Sequence, residues 1–478
     1  MTAKKTYTHC VIAAVLGLLI KLLLQPANGL TELGVNVLSV TIPTLYLWLT
    51  VNTSWCALLF MGLLVMTRAM SATEVWAGSM GHFSVITMIV FAMLNHALKE
   101  TGVIDKIALW FITRKAAQKR PYVFLGLFFL SNLVIGMFVD NLSLAIIYVG
   151  LATALSEMIG VRKGDSYYSA LFIGILWCNV VISIASPIAH APVLILIGMI
   201  QSQIGITVTY GQWFAFGVPF ALLMFLSMML AIAVWKPDTT AFMSFDLDEL
   251  RKKDRPLDRK GKVTAAVFVI TLLLIFLPEV LKGVLPKIAG YWSAVGVIVP
   301  AILAVSALSL IHIDGEPVLD YNAAARSLPL SPIIFAGVVC VMSTPVSSPA
   351  TGISLWLSNV LQPAFSSLPP LLILVLLTLG ALVMTNFFSN VVTMVLFFNI
   401  GLALLSAGEA NLGAFAAVIG YASSMASLTP AACAPAPLIY GPGHVTVGGV
   451  LKANLVFVLL SFIVILLVVY PLSGLLLI

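Results

Sequence analysis

The sequence predicts an all-α polytopic membrane protein, and three observations support that prediction. Of the 478 residues, 61% are hydrophobic and only 9% are charged, whereas a soluble globular domain carries roughly 25% charged residues. At about 20 residues per crossing, the apolar residues allow around 14 membrane crossings at most, and about 10 to 13 once loops are removed. Helix-breaking residues also recur at corresponding places in two halves of the chain. This composition excludes a soluble enzyme, a nucleic-acid-binding module and a disordered protein.

Residues 1–80 are predicted to form the N-terminal helices. The chain begins with two lysines and an apolar run, as a signal peptide does, but it lacks a small-residue cleavage site and stays apolar further on. We therefore expect a retained first helix. The five cysteines are widely spaced and lie mostly within apolar runs, which is typical of buried hydrophobic residues and not of a disulfide or metal framework.

One polar segment, residues 237–262, divides the chain and is called the linker below. It contains seven basic residues between Arg251 and Lys262 and cannot lie in hydrocarbon. Because basic loops mark the cytoplasmic side of membrane proteins, the linker is predicted to be cytoplasmic, as is a second basic cluster that begins at Arg114. The formal net charge of +6 has the same interpretation. We expect a multi-pass protein of the cell membrane (inner or plasma membrane).

The linker separates two predicted repeats, residues 81–236 and residues 263–478. Three pairs of segments match between them: Thr101-Gly102 with Thr351-Gly352, the stretch around Asn141 with that around Asn390, and SPIAHAPVLI from Ser186 with TPAACAPAPLI from Thr429. The offsets within the pairs are 250, 249 and 243 residues. Any one match could arise by chance, but three in the same order at nearly one spacing indicate an internal repeat.

In the second and third pairs, an apolar segment is interrupted where a membrane helix should continue. Polar residues interrupt it near 140 and near 389, and prolines recur within 186–193 and 429–437. Proline removes an N–H and clashes with the preceding turn, so the last two segments are predicted to be unwound. Unwound backbone at membrane depth must be buried in protein or line a cavity. Paired breaks in inverted-topology repeats point to the binding site of a transporter.

At these residues the sequence resembles the divalent anion/sodium symporter family of the ion transporter superfamily, as a divergent member. That family carries a Ser-Asn-Thr motif at the tip of a re-entrant hairpin in each half, followed by an unwound helix. Here Asp140-Asn141-Leu142 and Ser389-Asn390-Val391 occupy the motif positions. The segments LKETGVIDKIALWFI and LIYGPGHVTVGGVLKANL are also similar, and the resemblance covers about residues 85–470.

The resemblance implies a fold and a mechanism. The fold would have about 11 spanning helices and two re-entrant hairpins, with tips near 140 and 389, in two inverted-topology repeats. The mechanism would be that of an elevator-type carrier, in which a transport domain slides past a scaffold that includes residues 1–80. Members of the family are usually homodimers. They bind sodium as the coupling ion together with an anion, typically a dicarboxylate, citrate or sulfate, and we expect no covalent cofactor.

The resemblance also implies site residues. In the family, the motif asparagines and the threonines after them contact the substrate, and the serines and asparagines, with nearby carbonyls, bind sodium. This assigns Asn141 and Asn390 to both ligands, and Ser389 to sodium.

Both motif threonines are apolar in this chain, as Leu142 and Val391. A carboxylate that leaves water needs replacement hydrogen-bond donors, so their loss weakens the case for a dicarboxylate. Ser143 and Thr393, slightly further along, are our candidates for the missing hydroxyl groups. Helix N-termini at the hairpin tips would still offer N–H groups to an anion.

Two titratable residues lie at the predicted breaks. Asp140 is the only acidic residue between Asp105 and Glu157, and an acidic residue inside a membrane is a functional hypothesis by default. We predict that Asp140 binds sodium, with proton transfer or plain helix capping as alternatives. His190 lies in the first unwound segment and is predicted to contact substrate, with a structural role as the equal alternative.

The predicted function is secondary active transport, in which sodium entry drives the uptake of a small anionic metabolite, a carboxylate or similar anion. The main alternative is a sodium/proton exchanger that uses Asp140. A membrane-embedded enzyme is disfavoured because the sequence has neither His-Glu-x-x-His nor paired intramembrane aspartates, and ATP-driven transport lacks a P-loop. The expected partners are the anion, sodium, the lipid bilayer and a second copy of the chain, with no nucleic acid.

Overall fold

The structure, a computed structural model, describes residues 3–51, 54–188, 190–252, 256–296, 298–365, 367–405, 410–430 and 432–477. It is mostly helical, as predicted. Within these ranges the only sheet is a two-stranded antiparallel hairpin of β1 (His312–Ile313) and β2 (Glu316–Pro317). Its turn contains Asp314 and Gly315, both with positive φ.

One set of helices precedes the linker, and a second set begins within the linker or after it. The first half contains α1 (Ala3–Leu23), α2 (Glu32–Thr50), α3 (Ser54–Met66), α4 (Ala72–Ser79), α5 (Phe83–Glu100), α6 (Val103–Ile112), α7 (Pro121–Gly136), α8 (Asn141–Ile159), α9 (Ser166–Ala185), α10 (Ala191–Met199) and α11 (Tyr210–Trp235). The linker and second half contain α12 (Leu247–Lys252), α13 (Arg259–Leu281), α14 (Pro286–Val295), α15 (Ile298–Leu310), α16 (Tyr321–Arg326), α17 (Leu330–Ser347), α18 (Ile353–Phe365), α19 (Pro370–Thr385), α20 (Asn390–Leu405), α21 (Leu412–Ser424), α22 (Ala436–Tyr440), α23 (Val447–Val464) and α24 (Tyr470–Leu476). Short 3-10 turns occupy Lys115–Ala117 and Ala241–Ser244, and π-helical turns occupy Ile200–Ile204 and Ile465–Val469.

Seven helical segments in the described ranges are long and apolar enough to cross a membrane. They are Lys4–Leu23, Phe83–Glu100, Asn141–Ile159, Ser166–Ala185, Tyr210–Trp235, Arg259–Pro278 and Val447–Leu476. Other apolar helices, including α7, α19, α20 and α21, have only 10–17 residues. The prediction of a polytopic membrane protein is therefore confirmed.

The helices form two packed groups. Helices α2, α3, α4 and α5 pack around α17, while α7, α8, α9, α11, α19, α20, α21 and α23 pack among themselves. Helix α10 contacts both groups, through α17 on one side and through α9 and α21 on the other. The cavity described below lies where the two groups face each other.

Helices α9 and α21 occupy the centre of the second group. Nearly every residue of both is buried, and the two helices contact each other. A helix that is apolar on all sides needs protein around its whole circumference. Helix α9 ends at Ala185 and α21 ends at Ser424, so both breaks in helical structure begin inside the protein.

The first break covers residues 186–190, of which Ala189 lies outside the described residues. Helix α10 resumes at Ala191 with Pro192 in its first turn, where a missing N–H leaves no bond unmade. The indole Nε1–H of Trp213 donates to the carbonyl oxygen of Ile184 at 2.7 Å. A side chain of α11 therefore satisfies a carbonyl that the end of α9 leaves without a helical partner.

The second break covers residues 425–435, of which Ala431 lies outside the described residues. The carbonyl oxygen of Ser427 accepts from the Tyr440 hydroxyl at 2.8 Å and from Asn454 Nδ2 at 3.0 Å. Asn454 is held in turn by Trp177, whose Nε1–H donates to its Oδ1 at 2.6 Å. Side chains thus replace the helical hydrogen bonds here as well, as buried unwound backbone requires.

The described part of the linker packs against the ends of several helices. Arg251 donates from Nε and Nη2 to the carbonyl oxygen of Thr113 after α6, at 3.0 and 2.9 Å. Lys260 pairs with Glu316 of β2 at 2.8 Å and holds the pKa of that carboxyl below its ordinary value. Residues 253–255 lie outside the described residues. We call this end of the molecule the linker end.

The glycines of the two matching Thr-Gly dipeptides have the same backbone conformation but different surroundings. Gly102 and Gly352 have left-handed φ values of +68° and +64°, each directly before a helix. A Cβ at Gly352 would lie 1.8 Å from the carbonyl oxygen of Gly29, whereas a Cβ at Gly102 would meet nothing within 4 Å. Close by, Thr31 donates from Oγ1 to the carbonyl oxygen of Ala350 at 2.8 Å.

We therefore expect Gly352→Ala to lower the apparent melting temperature of the purified protein much more than Gly102→Ala does. The change at Gly102 costs only left-handed strain, about 1 kcal/mol. The change at Gly352 must also push two backbone segments apart, for a total of several kcal/mol. Equal shifts in the two variants would contradict the contact between these loops.

Candidate substrate and ion site

The first helical hairpin consists of α7 and α8, joined by the turn at residues 137–140. Asp140 caps α8, because its carboxylate accepts from the backbone N–H of Leu142 at 3.0 Å and of Ser143 at 3.1 Å. The Ser143 hydroxyl also donates to it at 2.7 Å. The capping role considered from the sequence is thus present. It does not exclude a further role, since the same side chain lines a cavity.

The second helical hairpin consists of α19 and α20, joined by the turn at residues 386–389. The Thr385 hydroxyl donates to Asn390 Oδ1 at 3.0 Å and also contacts the carbonyl oxygen of Ser423. Asn390 Nδ2 donates to the carbonyl oxygen of Ser424 at 3.4 Å. The motif asparagine is therefore held against the end of α21, where hydroxyl, amide and carbonyl oxygens converge.

Asn386 joins the second hairpin to the second break. Its Oδ1 accepts from the backbone N–H of Ser427 at 2.9 Å and of Leu428 at 2.8 Å. Its Nδ2 donates to the carbonyl oxygen of Leu382 at 2.8 Å, and its own carbonyl oxygen accepts from the Thr429 hydroxyl. The residue is fully buried. The sequence predictions did not include it among the site residues, although a polar residue one turn before the motif was a usable signal.

One cavity of about 730 Å³ lies between the two helix groups. Five of the seven predicted site residues line it: Asp140, Asn141, Ser143, Ser389 and Asn390. The start of α10, directly after the first break, lines it with Ala191 and Pro192. The second break lines it with Cys433, Ala434 and Pro435. Leu142 and Val391, which replace the motif threonines, also face it. The structure therefore brings both hairpin tips, the start of α10 after the first break and the second break to one place.

His190 and Thr393 are not among the cavity-lining residues, and both are fully buried. His190 lies 2.6 Å through Nε2 from the carbonyl oxygen of Gly136, which is the contact expected of a structural histidine. His190 Nδ1 and Thr393 Oγ1 have no hydrogen-bond partner among the described residues. As substrate contacts, both residues remain predictions.

Other polar residues of the cavity wall were missed by the sequence predictions. Asn179 of α9 is 1% exposed. Its Nδ2 donates to the carbonyl oxygen of Ile175 at 2.8 Å, while its Oδ1 has no partner in the described part of the chain. Asn95 and Lys99 of α5 line the opposite wall. A lone asparagine within the apolar run of α9 was the signal that could have identified Asn179.

The chemistry of the hairpin tips suits a hard cation. The available groups are the carboxylate of Asp140, the amides of the two motif asparagines and the Ser389 hydroxyl, with backbone carbonyls beside them. Such oxygen ligands favour alkali and alkaline-earth ions over transition metals. Neutral N–H donors from the same amides can bind an anion nearby.

Paired hairpins and helix breaks around one cavity in a polytopic membrane protein define a secondary transporter. The chain belongs to the sodium:sulfate symporter family, whose transmembrane region matches residues 4–477. The resemblance to the divalent anion/sodium symporters is thereby confirmed. The protein is a secondary transporter of anions in the plasma membrane, and not an enzyme.

Similar bacterial transporters match this chain over most of their own length. The sodium-dependent dicarboxylate transporter SdcS of Staphylococcus saprophyticus is 23% identical over 479 residues, which cover 96% of this chain and 90% of the relative. The L-tartrate/succinate antiporters of Escherichia coli K12 and Shigella sonnei are each 23% identical over 476 residues, covering 96% of this chain and 91% of theirs.

Proposed function

We propose that the protein couples sodium entry to the uptake of a small anionic metabolite, a carboxylate or similar anion, by an elevator mechanism. The observation that supports this most directly is one cavity lined by both hairpin tips, by the start of α10 after the first break and by the second break. A substrate there contacts groups from both halves of the chain. Sodium and the anion are both substrates of the transporter in this scheme.

Sodium binds first, at Asp140, Asn141, Ser389 and Asn390, with Thr385 and the carbonyls at the end of α21 as further oxygen ligands. Its charge offsets the Asp140 carboxylate, which would otherwise repel an incoming anion. The anion then binds between the tips, through Asn141, Ser143 and Asn390, with His190 and Thr393 behind the wall. Only the fully loaded or the empty carrier crosses, because moving an unbalanced charge through hydrocarbon is costly.

Two matched contacts support an internal repeat. The Ser186 hydroxyl donates to the carbonyl oxygen of Met137 in the first half, and the Thr429 hydroxyl donates to that of Asn386 in the second. The two donors, Ser186 and Thr429, begin the third pair of matching sequence segments. The two acceptors, Met137 and Asn386, are the first residues of the two hairpin turns. The proposed domains are therefore residues 81–236 and 263–478, with tips near 140 and 389 and unwound segments within 186–193 and 429–437.

The positions of the hairpin ends support an inverted topology. The start of α7 is next to the start of α9 at the linker end, where Tyr167 donates to the carbonyl oxygen of Pro121 at 3.0 Å. The start of α21 is at the opposite end, where Asn411 Nδ2 donates to the carbonyl oxygen of Gly474 at 3.0 Å. The two hairpins thus enter the molecule from opposite ends. We place the linker in the cytoplasm, and residues 1–80 in a scaffold that dimerises.

Uptake into proteoliposomes tests this function. With an inward sodium gradient, radiolabelled succinate, L-tartrate and sulfate serve as three separate probes, and potassium replaces sodium in the control. We expect at least one probe to accumulate only with the sodium gradient. Equal accumulation of each probe in sodium and potassium would remove sodium coupling from the proposal.

Anion exchange is the second candidate, because two of the relatives named above are antiporters. Liposomes preloaded with unlabelled succinate distinguish it: an exchanger takes up labelled succinate without a sodium gradient, and a symporter does not. Membership of the sodium:sulfate symporter family favours a sodium-coupled anion symporter or an anion exchanger over a sodium/proton exchanger. A pH-sensitive dye that reports proton flux on sodium addition, with no anion present, tests that last alternative.

Asp140→Asn separates the charge of Asp140 from its capping role. Asparagine is as good an N-cap as aspartate, so α8 keeps its cap and the protein its melting temperature. If the carboxylate binds sodium, the half-saturating sodium concentration for uptake rises at least about tenfold. Asp165→Asn, an equal charge change at an exposed residue that does not line the cavity, is the control. Unchanged sodium dependence in Asp140→Asn would reduce Asp140 to a cap.

A further inference from the structure

Asn95 is buried with its amide group unused. Its side chain is 5% exposed, and neither Nδ2 nor Oδ1 has a hydrogen-bond partner among the described residues. An unsatisfied buried amide is costly to stability, and buried polar groups in native proteins normally have a partner. Because Asn95 lines the cavity, the missing partner can come from whatever fills the cavity.

Asn95 belongs to a polar face at the end of α5. His96 and Lys99 of the same helix also line the cavity. Residues three and four apart are neighbours on a helix surface, so Lys99 lies one turn beyond Asn95, next to His96. The Lys99 side chain is exposed, whereas Asn95 lies deeper. An ammonium group at the mouth and an amide further in form a path for a carboxylate.

The charges of the cavity wall are separated. Lys99 and Asp140 are the only charged residues that line the cavity in the described part of the chain. Asp140 is at the tip of the first hairpin, whereas Lys99 is on α5, which packs with α17 in the other helix group. An anion beside Asp140 needs a cation to offset the carboxylate. An anion beside Lys99 does not.

Lys99 also lies near the linker end. It precedes the end of α5 by one residue, and a Cβ at Gly261, in the first turn of α13, would come within 2.9 Å of the carbonyl oxygen of Thr101. Glu100 is exposed at the same place, but it is not among the cavity-lining residues. The polar face of α5 therefore lies along the part of the cavity nearest the linker.

We propose that Asn95, His96 and Lys99 form a second anion site, fixed on α5, that binds one carboxylate or similar anionic group without sodium. Lys99 supplies the charge, and Asn95 Nδ2, turned towards the cavity by a rotation of its side chain, donates a hydrogen bond. The cavity volume of about 730 Å³ falls in the range of pockets for drug-sized ligands, about 300–1,000 Å³, and so has room for a small anion at each wall. This site rests on the proposed function only for the class of its ligand.

The site gives the carrier a place that holds the anion at the linker end while the hairpin tips are unloaded. An anion released by the tips after sodium leaves is transferred to a site that sodium does not control. Equally, an anion arriving from the linker end is bound before sodium is. The two sites differ in one measurable property, which is the dependence of binding on sodium.

Equilibrium dialysis of the purified full-length protein tests the proposal. Radiolabelled succinate, L-tartrate and sulfate are the probes, each in sodium buffer and in potassium buffer. We expect one class of sites in potassium and a second class that appears only in sodium. Asn95→Leu and Lys99→Gln should each weaken the class seen in potassium by at least about tenfold, and Asn390→Ala should remove only the sodium-dependent class.

Two variants provide matched controls. Asn132 is fully buried with both amide atoms unpartnered among the described residues, as Asn95 is, but it does not line the cavity. Asn132→Leu should leave both classes unchanged. Lys452 is exposed on α23 and does not line the cavity, so Lys452→Gln controls for loss of one positive charge. Gel filtration and the melting temperature show that each variant is folded.

The outcomes separate the two proposals. Absence of binding in potassium for all three probes overturns the α5 site, and so does potassium-buffer binding that survives both Asn95→Leu and Lys99→Gln. Binding in potassium without any sodium-dependent class supports the α5 site and overturns sodium coupling. Loss of all binding in Asn390→Ala would mean that there is one anion site, at the hairpin tips, and would overturn the site on α5.

Discussion

Asn386→Leu is expected to abolish uptake and to lower the melting temperature more than a change at either motif asparagine does. Leucine removes the amide oxygen that accepts from the backbone N–H groups of Ser427 and Leu428. Each buried N–H left without a partner costs about 1–3 kcal/mol, so the two together cost about 2–6 kcal/mol. The loss falls where the second break meets the second hairpin, so it deforms the cavity wall as well.

Two further variants define the cause. Asn386→Asp keeps an oxygen acceptor for both N–H groups and should retain part of the melting temperature. Asn399→Leu is the control, since Asn399 lies on α20 outside the cavity wall. Among the described residues its Nδ2 donates only to Val395 of its own helix, at 2.7 Å. It should change the melting temperature by little. A melting temperature of Asn386→Leu equal to that of the unmodified protein would remove Asn386 as the link between hairpin and break.

Asn141→Ala and Asn390→Ala are each expected to abolish uptake while the protein stays folded. Both side chains line the cavity at a hairpin tip, and each is proposed to bind sodium and the anion at once. A hydrogen bond to a charged group contributes about 1.5–3 kcal/mol, which is roughly ten- to a hundredfold in affinity. Losing contacts to two coupled ligands multiplies these factors.

The measurement is initial uptake of the best probe in proteoliposomes, with gel filtration of the purified variants as the folding check. Asn399→Ala is the matched control on the same helix as Asn390 and should transport normally. Asn390→Ala also removes the amide oxygen that accepts from the Thr385 hydroxyl. We therefore expect a modest fall in melting temperature for Asn390→Ala but not for Asn141→Ala. Near-normal uptake in both tip variants would remove the site assignment.

Much of the fold followed from local sequence. Interruptions predicted near 140 and 389 lie at the turns at 137–140 and 386–389, where Asp140 caps α8 and Asn390 begins α20. The breaks were located less well at their edges. The first resumes helical structure at Ala191, within the predicted unwound segment, since proline is tolerated in the first turn of a helix. The second begins at Met425, four residues before the predicted start.

The contents of the site followed from the sequence only in part. Five predicted residues line the cavity because the hairpin motifs place them at helix starts, which is a local property. Asn386 and Asn95 were not among the predicted site residues. The partners of Asn386, the backbone N–H groups of Ser427 and Leu428, lie some forty positions along the chain, and packing between helices brings Asn95 to the cavity. An asparagine within an apolar run is a local signal of a polar residue inside the protein, but it does not indicate which partner that residue meets there.

The sequence by itself determined that this protein lies in a membrane, where its helices are interrupted, and to which family it is similar. An apolar run, a cluster of prolines or a hairpin motif is a property of one segment, so each can be recognised without knowing how the segment packs. The tertiary structure alone decided that Asn386 links a hairpin to a break, and that Lys99 and Asp140, the charged residues that line the cavity in the described part of the chain, are on opposite walls. Those properties arise from packing between distant segments, where burial leaves each polar group dependent on partners that its own segment does not contain.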